Sequence, residues 1–252
     1  MNFLQQALAY LGTAANWWGP AGLAARIAEH LQYTVVAVAA AAVVAVPLGM
    51  FIGHTRRGTF LVVAGVNALR ALPTLGVLLL GVLWWGLGLG APTVALMLLA
   101  VPPLLAGTYA GIANVDPAVV DAARAMGMTE LRVLLRVELP NALPLVIGGL
   151  RTATLQVVAT ATVAAYASLG GLGRYLIDGI KVREFHIALV GALLVTALAL
   201  LLDAVLAAAA WLSVPGTGRG RRVPVPLDGQ VVLGAGRPTG YAAPRPSPTV
   251  EP

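Results

Sequence analysis

The feature that most constrains this chain is a series of long apolar blocks that carry very few charges. About 20 apolar residues are enough for a helix to cross the roughly 30 Å hydrocarbon core of a bilayer. Hydrophobic residues make up 59% of the chain and charged residues only 10%, whereas a soluble domain has roughly 25% charged residues. The sequence therefore predicts an all-α, polytopic membrane protein.

The apolar blocks predict five membrane spans. They cover residues 31–53, 59–89, 92–112, 142–169 and 186–214. The second block is too long for a straight crossing, but either half alone would be too short, so one helix kinked at Pro73 is expected. Residues 1–30 are expected to form an extracytoplasmic N-terminal segment, and 113–141 a loop between the third and fourth spans.

The basic residues predict the orientation of the spans, because cytoplasmic loops are enriched in arginine. With the N-terminus outside, eight arginines lie on the inner side within about 15 residues of a span: Arg56, Arg57, Arg124, Arg132, Arg136, Arg219, Arg221 and Arg222. The outer side then holds four basic residues: Arg26, Arg174, Lys181 and Arg183. The C-terminus is therefore expected in the cytoplasm. Its tail, 215–252, has 15 Pro or Gly among 38 residues and is predicted to be disordered.

Several function classes are excluded or disfavoured by composition. The chain has no cysteine, and His30, His54 and His186 are too far apart in the sequence to predict a zinc site. The net charge of +6 is explained by cytoplasmic arginines, so no nucleic-acid partner is expected. The phosphate-binding pattern G-x-x-x-x-G-K-[ST] does not occur. We therefore expect no metal, no cofactor and no ATPase site in this chain.

The loop 113–141 has the signals of two short helices. Asp116 can cap the first helix, and Gly127 can end it in a left-handed conformation. The second helix is expected to finish before Pro140. A DNA-binding helix-turn-helix is opposed by the membrane spans that hold both ends, whereas an ordinary loop with two surface helices remains an alternative. Small residues on the first helix favour close contact with another protein.

This loop resembles the EAA loop of permease subunits in binding-protein-dependent ABC importers. The residues that carry the resemblance are Asp121-Ala122-Ala123, Gly127, Val137 and Leu139-Pro140. Aspartate stands where glutamate is usual, and Val137 where isoleucine is usual. The order of elements is similar to the MetI-like fold, which has a five-helix transmembrane core with cytoplasmic coupling helices. Over residues 20–213 the chain resembles most the glycine betaine/carnitine/choline (osmoprotectant) permeases, in the stretches 71–80, 106–154 and 167–180.

The resemblance implies a multi-pass subunit of the bacterial cytoplasmic (inner) membrane that imports a solute. Its partners would be an ABC ATP-binding subunit that hydrolyses ATP, an extracytoplasmic substrate-binding protein and a second permease chain, identical or paralogous. Small residues at 122, 123 and 127 would let the coupling helix seat in a groove of the ATPase subunit. Gly170, Gly171 and Gly173 would form a turn at the outer face where the binding protein docks, although a plain turn is equally open.

Three charges lie inside the predicted spans: Arg70, Arg151 and Asp203. Each is roughly ten residues, or about 15 Å, from the cytoplasmic end of its helix, and a lone charge there is costly. Asp203 is therefore predicted to pair with Arg151 or Arg70, and a separation above about 8 Å from both would exclude this. The pair either fixes helix packing or lines the transport pathway.

Two other functions remain open at this stage. A MetI-like permease for another small solute, such as an amino acid, would share the coupling motif. An ion-coupled secondary carrier would work alone, but such carriers place several acids or histidines near the midplane, where this chain has only Asp203. A membrane-embedded enzyme is disfavoured because no nucleophile–base cluster is visible.

Overall fold

The structure, a computed structural model, describes residues 2–167 and 170–213. Within them the regular elements are helices, which confirms the all-α membrane fold class. The α-helices are α1 (Phe3–Gly12), α2 (Leu23–Thr55), α3 (Thr59–Ala71), α4 (Thr74–Trp85), α5 (Gly90–Ala113), α6 (Pro117–Ala125), α7 (Glu130–Val133), α8 (Leu139–Ala161), α9 (Gly173–Lys181) and α10 (Phe185–Leu212). Ala14–Trp17 and Thr162–Ala167 form short 3-10 helices. The predicted disordered tail, 215–252, lies outside the described residues.

Four helical stretches of the described chain are long and apolar enough to cross a membrane. They are Leu23–Thr55, Gly90–Ala113, Glu130–Ala161 and Phe185–Leu212. A fifth crossing results if α3 and α4 together form one span. Within the N-terminal segment, α1 packs against α10, and α2 begins at Leu23, eight residues before the predicted start of the first span.

The second predicted span is not one kinked helix. It is broken at Leu72 and Pro73 into α3 and α4, whose axes differ by 78°. Pro73 lacks a backbone N–H and disfavours helical geometry at the preceding residue, and Leu72 is indeed extended, with φ −68° and ψ 128°. Gly86, with φ 79°, follows α4 and ends it before the predicted limit.

The second coupling helix does not finish before Pro140, contrary to expectation. The helical path continues from α7 through a π-helical turn, Leu134–Glu138, into α8. Pro140 has no N–H to donate to the carbonyl of Arg136, and that carbonyl lies inside this wider turn. The proline is therefore tolerated where the hydrogen-bond register is already changed.

Small residues allow the spans to pack closely around α5. In α2 a stripe of five small residues, spaced four apart, is buried: Ala37, Ala41, Ala45, Gly49 and Gly53. A Cβ atom added at Gly49 would lie 2.7 Å from Cβ of Thr108 on α5. On the other side of α5, a Cβ atom at Gly107 would lie 2.7 Å from Cα of Gly149 on α8. Small-residue contacts of this kind bring helix backbones together where lipid offers no hydrophobic drive.

Candidate functional site

The first helix of the coupling loop, α6, has both ends that the sequence predicted. The Asp116 side chain accepts a hydrogen bond from the N–H of Ala118 at 2.9 Å, and Pro117 occupies the first helical position. At the other end Gly127 has φ 82°. The N–H of Gly127 donates to the carbonyl of Arg124 at 2.9 Å, and that of Met128 donates to Ala123 at 3.2 Å. This pair of bonds is the Schellman arrangement that glycine favours.

A small apolar core holds α6 against the segment that follows it. Its buried members are Val115, Val120, Ala123 and Val133. The motif implied that Ala123 contacts a partner subunit. Ala123 is only 2% exposed, so it does not belong to the surface that a partner could contact. Because Val120 and Ala123 of α6 are buried in this core, the opposite face of α6 is left free.

On the free face of the coupling loop, the carboxylate of Asp121 lies with exposed small and apolar residues. Asp121, Ala122 and Gly127 are all exposed, and a Cβ atom at Gly127 would meet no atom within 4 Å. Large apolar side chains surround them: Val119, Met126, Leu131 and Leu135, which are 46 to 76% exposed. We call this set the coupling surface. An apolar patch of this kind, around a polar group, is typical of a protein interaction site.

The last two motif residues lie elsewhere. Leu139 and Pro140 are half-buried at the start of α8, directly after the π-helical turn. They do not belong to the coupling surface. Their position instead sets the geometry with which the loop enters the membrane-spanning helix.

Five ionisable residues form a connected polar network beside the coupling surface. Arg124 donates to both carboxylate oxygens of Glu130 at 3.0 Å, and its Nη1 lies 3.4 Å from Oδ1 of Asp121. Hydrogen bonds to Glu130 and then to Asp121 raise the pKa of Arg124 above its usual value. His54, at the end of α2, contacts Glu130 through Nε2 at 3.1 Å and Glu138 through Nδ1 at 2.6 Å. The sequence did not suggest His54 or Glu138, because they are 84 positions apart.

The intramembrane charges form a pair rather than a cluster of three. Both carboxylate oxygens of Asp203, on α10, accept hydrogen bonds from Arg151 on α8: Oδ1 from Nε, and Oδ2 from Nη2 at 2.6 Å. Such fork-shaped pairing is geometrically specific. Arg70 lies exposed in the last turn of α3 and forms no ion pair with any described residue. The structure therefore brings Asp203 to Arg151 and not to Arg70.

The glycine-rich turn before α9 is packed against the start of α2. The N–H of Gly171 donates to Glu29 at 2.7 Å, and the same carboxylate oxygen of Glu29 is held by Arg26 at 2.8 Å. A Cβ atom at Gly170 would overlap this carboxylate, and one at Gly173 would overlap the carbonyl of Thr162. Gly171 also has φ 78°. The glycines thus have a packing role, whereas binding-protein docking at this turn stays a prediction.

Two apolar crevices lie between the spans. One, of about 470 Å³, is lined by α2, α3 and α5, and the other, of about 330 Å³, by α2, α8 and α10. Phe51 is the aromatic residue that lines the first, and the second has none. Neither crevice therefore has the aromatic cage that binds a quaternary ammonium group. Within residues 2–167 and 170–213, no cluster of three or more His, Asp or Glu could hold a metal ion.

The chain is similar to known transport proteins. Residues 45–210 match the family described as "Binding-protein-dependent transport system inner membrane component". The glycine betaine/carnitine/choline transport system permease protein OpuCB of Bacillus subtilis is 35% identical over 179 residues, 71% of this chain and 82% of that one. The osmoprotectant import permease protein OsmW of Salmonella typhimurium is 30% identical over 186 residues, 72% of this chain and 86% of that one.

Solved structures share the fold. A chain of the inward-facing MetNI methionine ABC transporter superimposes with a TM-score of 0.68 at 22% identity, covering 76% of this chain and 95% of that one. An amino acid ABC transporter crystallised with histidines gives a TM-score of 0.59 at 19% identity, covering 84% of this chain and 99% of that one.

Proposed function

This chain belongs to the family of binding-protein-dependent transport system inner membrane components, and on that premise we propose that it carries quaternary-amine compatible solutes. It is a transmembrane permease subunit of an ABC importer, a role that is not itself catalytic. The proposed solutes are glycine betaine, choline and carnitine, each of which appears in the name of at least one of its relatives. Those relatives are 32 to 35% identical over 69 to 72% of this chain.

The crevices support a division of labour between this chain and a binding protein. Their walls are apolar and lack an aromatic cage, so we propose that an extracytoplasmic binding protein selects the solute and this chain provides the passage. A single set of up to five spans provides half of a passage. We therefore propose that two permease chains, identical or paralogous, pair around it.

We further propose that the coupling surface docks on a separate ATP-binding subunit. The single observation that carries this proposal is the exposed apolar patch on α6 and α7, with Asp121 beside Ala122 and the open space at Gly127. The absence of large side chains at 122 and 127 lets a partner approach the helix backbone. ATP-driven closure of the partner subunits would move α6 as a rigid body together with the spans.

The orientation with the N-terminus outside and the C-terminus in the cytoplasm is also a proposal. It can be tested directly because the chain has no cysteine, so single cysteines report without background. In cells that express this chain without its partners, Met126→Cys, directly after α6, should react with a membrane-impermeant maleimide only after the cells are permeabilised. Val182→Cys, at a 64% exposed position after α9, should react in intact cells. The reverse labelling pattern would show that the orientation is wrong.

The solute is tested by uptake into proteoliposomes that contain the ATP-binding and substrate-binding partners. We expect ATP-dependent uptake of labelled glycine betaine or choline and none of methionine. Uptake of methionine alone would favour the second candidate function, an amino acid permease. This chain shares its fold with a chain of the methionine transporter. Uptake of betaine without ATP and without partners would instead indicate a secondary carrier.

A further inference from the structure

His54 lies between two carboxylates that come from the coupling loop. Its Nδ1 is 2.6 Å from Oε2 of Glu138, and its Nε2 is 3.1 Å from Oε2 of Glu130. The histidine side chain is 13% exposed and that of Glu138 is 7% exposed, whereas that of Glu130 is 60% exposed. An imidazole can donate from both nitrogens only as the cation. Each ring nitrogen of His54 therefore lies within reach of a different acid, so the ring bridges Glu130 and Glu138.

The contact continues to the coupling surface through the polar network. The carboxylate of Glu130 that contacts His54 also receives two hydrogen bonds from Arg124, each 3.0 Å long. Arg124 in turn lies 3.4 Å from Asp121, whose side chain is 73% exposed. A continuous series of polar contacts thus runs from the exposed carboxylate on α6 to the end of α2. No function assigned above makes use of it.

The end of α2 is in turn locked to the centre of the fold. A Cβ atom at Gly53 would lie 2.7 Å from Cβ of Ile112, and one at Gly49 would lie 2.7 Å from Cβ of Thr108. Both partners are on α5, and the approach is too close for one helix to slide past the other without disturbing the backbone. A displacement applied at His54 would therefore move α2 and α5 together.

We propose that His54 is a positioning residue that transmits the movement of the coupling loop to α2. When α6 moves with the ATP-binding subunit, Glu130 moves with it, and the mostly buried His54–Glu138 pair cannot be left without a partner at low cost. Directional ion pairs hold this geometry more strictly than apolar contacts, so α2 follows. The inference rests on the importer assignment and not on the identity of the solute.

The test measures the number of solute molecules imported per ATP hydrolysed, in proteoliposomes that hold the complete importer. His54→Gln replaces the ring, whose two nitrogens reach both acids, by a shorter-reaching amide that cannot be charged. We expect this ratio to fall about fivefold or more, because fivefold is the lower end of the effects that coupling between two sites typically has. Arg57→Gln is the matched control, since Arg57 is an exposed cation three residues further on and forms no ion pair among the described residues. It should leave the ratio within about twofold of wild type.

Rescue and a double-mutant cycle distinguish this role from a merely structural one. His54→Arg keeps a cation with several donors and should recover at least half of the wild-type ratio. Glu130→Gln should lower the ratio as His54→Gln does, and the double variant should be no worse than the more severe single one, because both act on one connection. Glu130 is mostly exposed, so its variant still tests the proposal if His54→Gln fails to assemble.

Two results would overturn the proposal. One is a wild-type ratio in His54→Gln, and the other is a double variant whose loss equals the product of the two single losses. Lack of uptake by the wild-type importer would refute the solute assignment instead. In that case the solute-per-ATP ratios of the same variants are measured with the solute that the wild-type importer does carry. The proposal about His54 is then tested in the same way.

Discussion

The glycine contact between α5 and α8 gives the sharpest quantitative prediction about the fold. A Cβ atom at Gly149 would lie 2.7 Å from the carbonyl oxygen of Pro103 and 3.1 Å from Cα of Gly107. Both obstacles are backbone atoms, so no side-chain rotation can relieve the overlap. A relaxed carbon–oxygen contact needs about 3.3 Å or more, and therefore Gly149→Ala must push the two helices apart by about 0.6 Å.

The neighbouring Gly148 provides a matched control on the same helix. A Cβ atom there would meet no atom within 4 Å, so Gly148→Ala should keep or gain stability, by up to about 1 kcal/mol from helix propensity. Gly149→Ala gains the same propensity term but adds an overpacking cost of about 1–3 kcal/mol. The difference between the two variants isolates the steric cost, and we expect it to be about 2 kcal/mol.

The assay is thermal unfolding of the purified protein in detergent, followed by tryptophan fluorescence. For chains of this size about 1 kcal/mol corresponds to roughly 2–4 °C, so Gly149→Ala should unfold about 4–8 °C below Gly148→Ala. Equal unfolding temperatures for the two variants would refute the close approach of α5 and α8. A lower temperature for Gly148→Ala would mean that the two faces of α8 have been exchanged.

Three further predictions concern the proposed coupling, the intramembrane pair and the glycine-rich turn. Gly127→Asp should abolish most ATP-driven uptake, whereas neutral Gly127→Asn, which also tolerates φ 82°, should keep at least half; equal uptake by both would refute a role of charge at the docking surface. Asp203→Asn should lower the thermal stability of the protein in detergent, whereas the double variant Arg151→Asp with Asp203→Arg, which exchanges the two charges, should restore part of the loss. An unchanged stability of Asp203→Asn would show that this pair does not stabilise the fold. Gly170→Ala should also lower the unfolding temperature, because its methyl group overlaps the Glu29 carboxylate; an unchanged temperature would contradict that packing.

Features that depend on neighbouring residues could be predicted from the sequence. The cap at Asp116 and the left-handed turn at Gly127 use side chains and backbone conformations within one helical turn, so the limits of α6 were correct. Pro73 marked the position of the break between α3 and α4 but not its size. The 78° bend depends on what the two pieces pack against, which no local pattern records.

Features that depend on helix rotation could not be predicted. Arg70 and Arg151 were expected at the same depth, yet only Arg151 points to Asp203. Ala122 and Ala123 are adjacent and chemically identical, but one is exposed and the other is buried against Val133. Successive residues of a helix point in directions that differ by about 100°. Which of them faces the core depends on how the whole bundle packs.

The sequence by itself determined that the chain belongs in a bilayer, that its spans are helical and that the loop after the third span holds a helix that begins after Asp116 and ends before Gly127. These properties follow from composition, from the length of the apolar blocks and from short-range capping, all of which depend only on residues that are close together in the sequence. Only the tertiary structure decided that Gly149 meets Pro103 and that His54 joins Glu138 across 84 positions. Such contacts depend on how helices cross and rotate, because side chains distant in sequence meet only after the backbones have packed.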